Sequence, residues 1–141
     1  MANTVRHGSC LCKRVKYEVT GDPWAFFVCH CGNCKKMTGS AFMANSLFKP
    51  EQYKITEGED LITQYRDTTT NSGKPKILSF CSKCGSPIRI TNEAQLVMVA
   101  PTGTYDDEIP WDPTNEFYLD RKRKWIHEIT TREDGCVIES I

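Results

Sequence analysis

Apolar and polar residues alternate with a period of two through residues 14–19, which places Val15, Tyr17 and Val19 on one face of an extended strand. Gly21-Asp22-Pro23 closes that segment. Further short extended runs follow at residues 25–28, 41–48, 53–56, 61–65, 76–80, 88–90 and 96–100, and two more at 116–119 and 125–129. Many short strands divided by Gly, Pro and Asn turns predict a mainly antiparallel β domain. Helix is scarce: one turn over 33–38 and another over 50–53, with no amphipathic pattern lasting three turns. Two irregular stretches stand out, the polar segment 67–75 and the segment 101–115, which holds three prolines and the acidic group Asp106-Asp107-Glu108. A loop of the second length is either functional or an ordinary exposed connection. Trp24, Phe26, Phe27, Phe42, Phe48 and Trp125 are expected in the core, and Trp111 at the rim of a substrate site.

A chain of 141 residues is most economically one domain, 1–141, able to bury roughly two-thirds of the surface it exposes when unfolded. Its 18 basic and 18 acidic side chains cancel, so net charge offers no general attraction to nucleic acid or to an anionic membrane. Arg121-Lys122-Arg123-Lys124 is the sole basic run, read as the alternating charges of a protective edge strand rather than a nucleic-acid patch. No apolar signal-peptide core, no transmembrane run and no Asn-X-Ser/Thr sequon is found. The expected setting is therefore reducing, the cytoplasm or alternatively the nucleus, where eight cysteines remain thiols. The sequence leaves a homo-oligomer open.

Seven of those cysteines fall into groups with metal-ligand spacing: Cys10-Leu-Cys12, Cys29-His-Cys31-Gly-Asn-Cys34 and Cys81-Ser-Lys-Cys84. Cys10 and Cys12, two apart at the start of a strand, can approach one ion from the same face. Cys81 and Cys84 flank a turn that Gly85 permits, and the two pairs together supply four thiolates. The central group supplies three, with His30 as an alternative fourth ligand that strand geometry would point the opposite way. Cys136 reads as a spare thiol. Four ligands close a tetrahedron, whereas three leave room for water or substrate. Three thiolates outweigh the charge of a dication, which suits the open site to a substrate thiol better than to acidifying water.

The residues Gly8-Ser-Cys10-Leu-Cys12, Pro23, Cys29-His-Cys31-Gly-Asn-Cys34-Lys-Lys-Met-Thr38-Gly39-Ser40, Phe80-Cys81-Ser-Lys-Cys84-Gly85 and Trp125 stand in a recognisable order. In these motifs the chain resembles the glutathione-dependent formaldehyde-activating family, which includes the centromere protein V domain. The likeness spans residues 7–127 and leaves 128–141 as a C-terminal extension. It implies a β-tent fold of small antiparallel sheets organised around a structural zinc on Cys10, Cys12, Cys81 and Cys84, with a catalytic zinc on Cys29, Cys31 and Cys34. It also implies a carbon–sulfur lyase that combines glutathione with formaldehyde to give S-hydroxymethylglutathione, or forms a related thiol adduct. Lys35, Lys36, Thr38, Gly39 and Ser40 are the expected glutathione contacts. Two departures concern the substrate: Lys13 stands where a Gly commonly follows the first cysteine pair, and a histidine often seen before the last strand is missing. The alternatives are a non-catalytic zinc module of an interaction or chromatin protein, and a dithiol redox protein using Cys31 and Cys34.

Overall fold

The computed structural model describes residues 3–129 and 131; Cys136 and all of the 128–141 extension except residues 128, 129 and 131 lie outside them. The architecture is mainly β, as expected. β1 (Val5–Ser9), β2 (Lys16–Thr20) and β5 (Tyr53–Glu57) form a three-stranded antiparallel sheet in the order β1-β2-β5. A larger sheet has the order β10-β3-β4-β9-β8-β7-β6. Its strands are β3 (Ala25–Cys29), β4 (Met43–Phe48), β6 (Ile62–Asp67), β7 (Lys76–Cys81), β8 (Pro87–Asn92), β9 (Met98–Pro101) and β10 (Asn115–Phe117). The sheets are thus less uniform than expected, since one has seven strands and its edge pair, β10 with β3, is parallel. Among the described residues the single α-helix is α1 (Gly32–Thr38), and a 3-10 turn spans Pro50–Gln52.

Both faces of the large sheet are covered at β3, β4 and β9, whereas β6 is mostly exposed at the edge, and strand alternation decides what each face receives. From β4, Phe48 turns toward a cluster that contains Val15, Tyr17, Val19 and Tyr53 of the small-sheet layer. Met43 and Leu47 turn the other way, toward Phe27, Ile90, Val99 and α1's Met37. Ile88 and Ile90 would share a face in a regular strand, yet they belong to opposite clusters. The register slips where Ser79 opposes Arg89 and Phe80 opposes Pro87, leaving Ile88 as the extra residue of a β-bulge.

The small-sheet side is built on tyrosines. Tyr17 stacks on Tyr53 with centroids 5.0 Å apart and meets Tyr105 edge-on at 5.8 Å. Each hydroxyl finds a partner: Tyr17 with Thr104 Oγ1 at 2.6 Å, Tyr53 donating to the Ile88 carbonyl at 3.0 Å, and Tyr105 with Ser46 Oγ at 2.7 Å. Burial pushes all three phenols above their ordinary pKa, so they remain neutral donors.

Segment 101–115 is a strap over this cluster. Trp111 meets Phe48 and Tyr105 edge-on, lies under the Arg6 guanidinium at 4.8 Å and donates to Asp22 Oδ1 at 3.0 Å. It holds the strap down and is not at a substrate rim. Asp106 accepts from Ser9 Oγ and pairs with Lys13, while Asp107 accepts from the His7 amide. At the other end the expected strand 125–129 is absent. Tyr118, with φ 58°, turns the chain out of β10 into a 3-10 turn at Leu119–Arg121, and the basic residues follow as turns. Trp125 is consequently 71% exposed and Trp24 41%, against the expectation that both are core.

β1 carries little apolar signal because its packing partner lies on the neighbouring strand. Gly8 pairs with Tyr17, and a Cβ at Gly8 would sit 2.2 Å from Tyr17 Cζ. The ring cannot retreat, being fully buried and stacked on Tyr53. Gly8→Ala is expected to lose about 1–3 kcal/mol by overpacking, read as a lower urea midpoint; an unchanged midpoint would mean the tyrosine stack yields.

Candidate active site and metal centres

Two tight turns meet at one end of the tyrosine cluster. Cys10 and Cys12 lie in the turn between β1 and β2 rather than on a strand, closed by Cys10 N–H to the Val15 carbonyl and Lys13 N–H to the Cys10 carbonyl, both 3.0 Å. Lys13 takes the left-handed conformation, φ 67°, that a Gly would adopt without strain. Cys81 ends β7, and its carbonyl accepts from Gly85 N–H at 2.8 Å. Ser86 links the turns, since its hydroxyl accepts from Leu11 N–H at 2.9 Å and lies 3.3 Å from Cys84 Sγ.

The four sulfurs of Cys10, Cys12, Cys81 and Cys84 lie within 4.8 Å of one another. Cys10 to Cys12 is 3.5 Å and Cys12 to Cys81 is 3.8 Å; a tetrahedron with bonds of about 2.3 Å has edges of about 3.8 Å. Burial opposes ionisation of Cys84, but the hydroxyl and amide of Ser86 hold its thiol at about 5. At Cys12 the Arg14 amide favours the thiolate, yet burial and the neighbouring sulfurs push the thiol to about 11. So many sulfurs this close cannot all ionise unless a cation sits among them, and the donor set fits a soft dication such as zinc.

The second group forms on the opposite face of the large sheet, where Cys29 ends β3 and Cys31 caps α1. The Cys31 sulfur accepts from Cys34 N–H at 3.3 Å, and one helical turn brings Cys34 beside it. The sulfurs of Cys29, Cys31 and Cys34 lie within 4.8 Å of one another. Hydrogen bonds from Cys29, Cys34 and nearby amides hold the Cys31 thiol far below its ordinary value. The same interactions push Cys29 to about 11 and Cys34 higher still. These three thiols, like the four, can all ionise only around a shared cation, which they would hold with three protein ligands instead of four.

His30 does not join the sulfurs. It is fully buried, and its Nε2 lies 2.7 Å from Glu116 Oε1, an oxygen that also accepts from Lys122 Nζ at 3.0 Å. Burial raises the Glu116 pKa, but the bonds from Lys122 and His30 more than offset this and hold it below the usual range. The chain entering α1 is thus tied to β10. Asp67, at the end of β6, supports the other side: its carboxylate accepts from Asn33 Nδ2 at 2.8 Å and from the Thr69 amide at 2.9 Å and hydroxyl at 2.6 Å.

All three sulfurs of this group line a cavity of ≈ 270 Å³. Phe27, Met37, Leu78, Ile90, Val99 and Phe117 make its apolar walls. Asn33, Asn45, Asp67, Lys76, Thr91 and segment 70–72 supply its polar lining, and among these groups Asn45 Oδ1 and Lys76 Nζ are buried without a hydrogen-bond partner. Burial and the neighbouring Lys74 pull the Lys76 ammonium down to about 8, with Cys34 partly opposing.

None of the five expected glutathione contacts lines this cavity. Lys35 donates from Nζ to the Arg121 carbonyl, Lys36 is exposed on α1, and Thr38 Oγ1 donates to the Cys34 carbonyl at 2.8 Å. Gly39 ends the helix in a left-handed cap, φ 62°, and Ser40 donates its amide to Thr38 Oγ1. Their hydroxyl and backbone groups serve the end of the helix. Asn45, Lys76, Asp67 and Glu116 were not foreseen. The one sequence signal was Asn45-Ser46, a polar pair inside an apolar strand.

Comparison with known proteins gives three findings. Residues 5–121 match the family model described as glutathione-dependent formaldehyde-activating enzyme. A Halomonas elongata protein named "Putative glutathione-dependent formaldehyde-activating enzyme" is 25% identical over 132 residues, covering 92% of this chain and 84% of its own. The crystal structure of a Rhodobacter sphaeroides protein superposes with a TM-score of 0.58 at 16% identity, over 74% of this chain and 91% of that one, which shows a shared fold.

The Asp67 clamp has a pH signature. Burial raises its pKa, but the Thr69 and Asn33 bonds more than compensate and hold it below the usual value. Its contribution is present above the unfolded carboxyl pKa and is lost as pH falls through the lower folded value. Asp67→Asn is expected to lose about 1–3 kcal/mol at neutral pH, with the gap to the parent narrowing below about pH 4. Urea unfolding at several pH values measures this; a gap independent of pH would rule out the ionised clamp.

Proposed function

The chain belongs to the glutathione-dependent formaldehyde-activating enzyme family, and from that premise we propose that it adds a thiol to a carbonyl carbon at Cys29, Cys31 and Cys34, with zinc held by these residues. The observation that carries the reading is the asymmetry between the sulfur groups. The group of three lines a cavity, whereas the group of four is packed into the tyrosine cluster. Cys10, Cys12, Cys81 and Cys84 would hold a second zinc that joins the two turns and contributes to folding. Cys29, Cys31 and Cys34 would hold the zinc with three ligands, and the metal would supply stabilisation of the thiolate form of an incoming thiol.

The remaining work falls to the chain's own residues. The apolar walls exclude water from the reacting sulfur and carbonyl carbon, which favours addition of thiol over hydration. The His30–Glu116–Lys122 network and the Asp67 clamp brace the two sides of the sulfur group, so its geometry is set before substrate arrives. In the reaction the thiol sulfur bonds to the carbonyl carbon, the carbon–oxygen π bond opens, and the thiol proton ends on that oxygen. With the pair in the family's name, glutathione and formaldehyde, the product is S-hydroxymethylglutathione. Glutathione is the proposed thiol partner.

Metal analysis separates the two groups. Purified parent protein is expected to carry two zinc ions, Cys31→Ser to keep its fold with about one, and Cys81→Ser to misfold. X-ray absorption of the parent should show zinc–sulfur coordination rising when glutathione is added. Equal effects of the two substitutions, or no change in sulfur coordination, would overturn the proposal.

A further inference from the structure

The cavity beside the three sulfurs is poorly matched to either small partner in the family's name. Formaldehyde has two heavy atoms, whereas ≈ 270 Å³ approaches the lower end of sites that hold whole organic ligands, about 300–1,000 Å³. Glutathione is a polar peptide with two carboxylates and an ammonium, whereas six apolar side chains make the walls and floor beside the sulfurs, with Asn33, Asp67, Thr91 and segment 70–72 as further polar lining. The group best placed to meet an ammonium, the Asp67 carboxylate, is already occupied by Asn33 and Thr69. Lys76 can take one carboxylate, but a whole peptide seated against the apolar floor of Phe27, Leu78, Ile90 and Val99 would leave its remaining charged groups and amides facing apolar side chains.

Two lining groups remain unmatched in the protein itself. Asn45 is 1% exposed, and its Oδ1 has no partner. Lys76 Nζ is likewise buried and without a partner. They come from β4 and β7, which are separated in the sheet by β9 and β8, whose Val99 and Ile90 form the apolar floor between them. A buried polar atom left unpaired weakens the free protein and is satisfied when a ligand of complementary chemistry arrives.

We infer that the cavity receives the carbonyl substrate, and that this substrate is an aldehyde with an apolar body of roughly phenyl size bearing an anionic group, such as a carboxylate, that pairs with Lys76. The inference rests on the proposed thiol addition and names its electrophile. Glutathione then meets the sulfur group from the cavity mouth with its thiol alone. The chemistry balances without oxidant or reductant: a carbon–sulfur bond forms, the carbonyl π bond opens, and the thiol proton passes to the carbonyl oxygen. Asn45 Oδ1, an unpaired acceptor, accepts from the adduct's hydroxyl, formed when the carbonyl oxygen takes up the thiol proton.

Binding and turnover test this separately. Calorimetric titration of zinc-loaded protein with 3-phenylpropionate, which cannot react, should show binding that weakens about tenfold or more in Lys76→Met and is largely kept in Lys76→Arg. The uncharged 3-phenylpropanol should bind the parent and Lys76→Met alike. Failure of 3-phenylpropionate to bind, or equal binding to parent and Lys76→Met, overturns the assignment of the anion. Exchange NMR with glutathione then compares formaldehyde, phenylacetaldehyde and 4-formylphenylacetate. Higher kcat/KM for the carboxylated aromatic aldehyde, by about tenfold or more, supports the inference. Preference for formaldehyde overturns it while thiol addition stands. Turnover of no aldehyde, with Lys76-dependent binding of 3-phenylpropionate intact, overturns thiol addition and keeps the ligand class.

Discussion

A strand buried on both sides sends successive side chains into different environments, and β4 imposes that constraint on the whole molecule. Phe48 enters the tyrosine cluster, and Ser46 bonds Tyr105 and the Ala100 carbonyl on that side. Met43, Asn45 and Leu47 belong to the face that carries α1 and the cavity. The Ile88 bulge preserves the partition on β8, where unbroken alternation would place an apolar residue on the wrong side. One face can therefore be packed to completion while the other keeps a volume open.

Electrostatics then distinguishes the sulfur groups. Within each group, proximity drives the thiols apart in acidity, and a shared cation is the simplest way to let all of them ionise. On the packed face four sulfurs would complete the sphere of a tetrahedral ion. On the open face three would not, and these three residues line the cavity. Among the described residues no helix is long and apolar enough to cross a membrane.

Local pattern made much of this legible. Alternation located β2, the spacing of the cysteines sorted seven thiols into groups of four and three, and Gly85 marked the second turn with its φ of 78°. What escaped depends on neighbours distant in sequence. β1 is hidden because Gly8 borrows its cover from Tyr17 across the ladder. Cys10-Leu-Cys12 reads equally well as a strand, and only Lys13's left-handed backbone makes it a turn. Trp111 and Trp125 look alike as sequence, but one is captured between Arg6 and Phe48 while the other follows a strand that Tyr118 has already ended. Asn45 and Lys76 acquire meaning only when two nonadjacent strands bring them to one cavity.

Lys13 ties the first cysteine turn to the strap. Its backbone conformation costs about 1 kcal/mol relative to glycine, but glycine has no side chain with which to reach Ser9 Oγ at 3.2 Å and Asp106 Oδ1 at 3.1 Å. The first cysteine turn is thereby fastened to the strap that also carries Tyr105 and Trp111. With Ser9 bonded to Asp106, the His7 amide to Asp107 and Tyr17 to Thr104, the Lys13 side chain adds a tie from the cysteine turn itself to the strap. Turn and strap thus form one bonded layer behind the large sheet, on the face opposite the cavity.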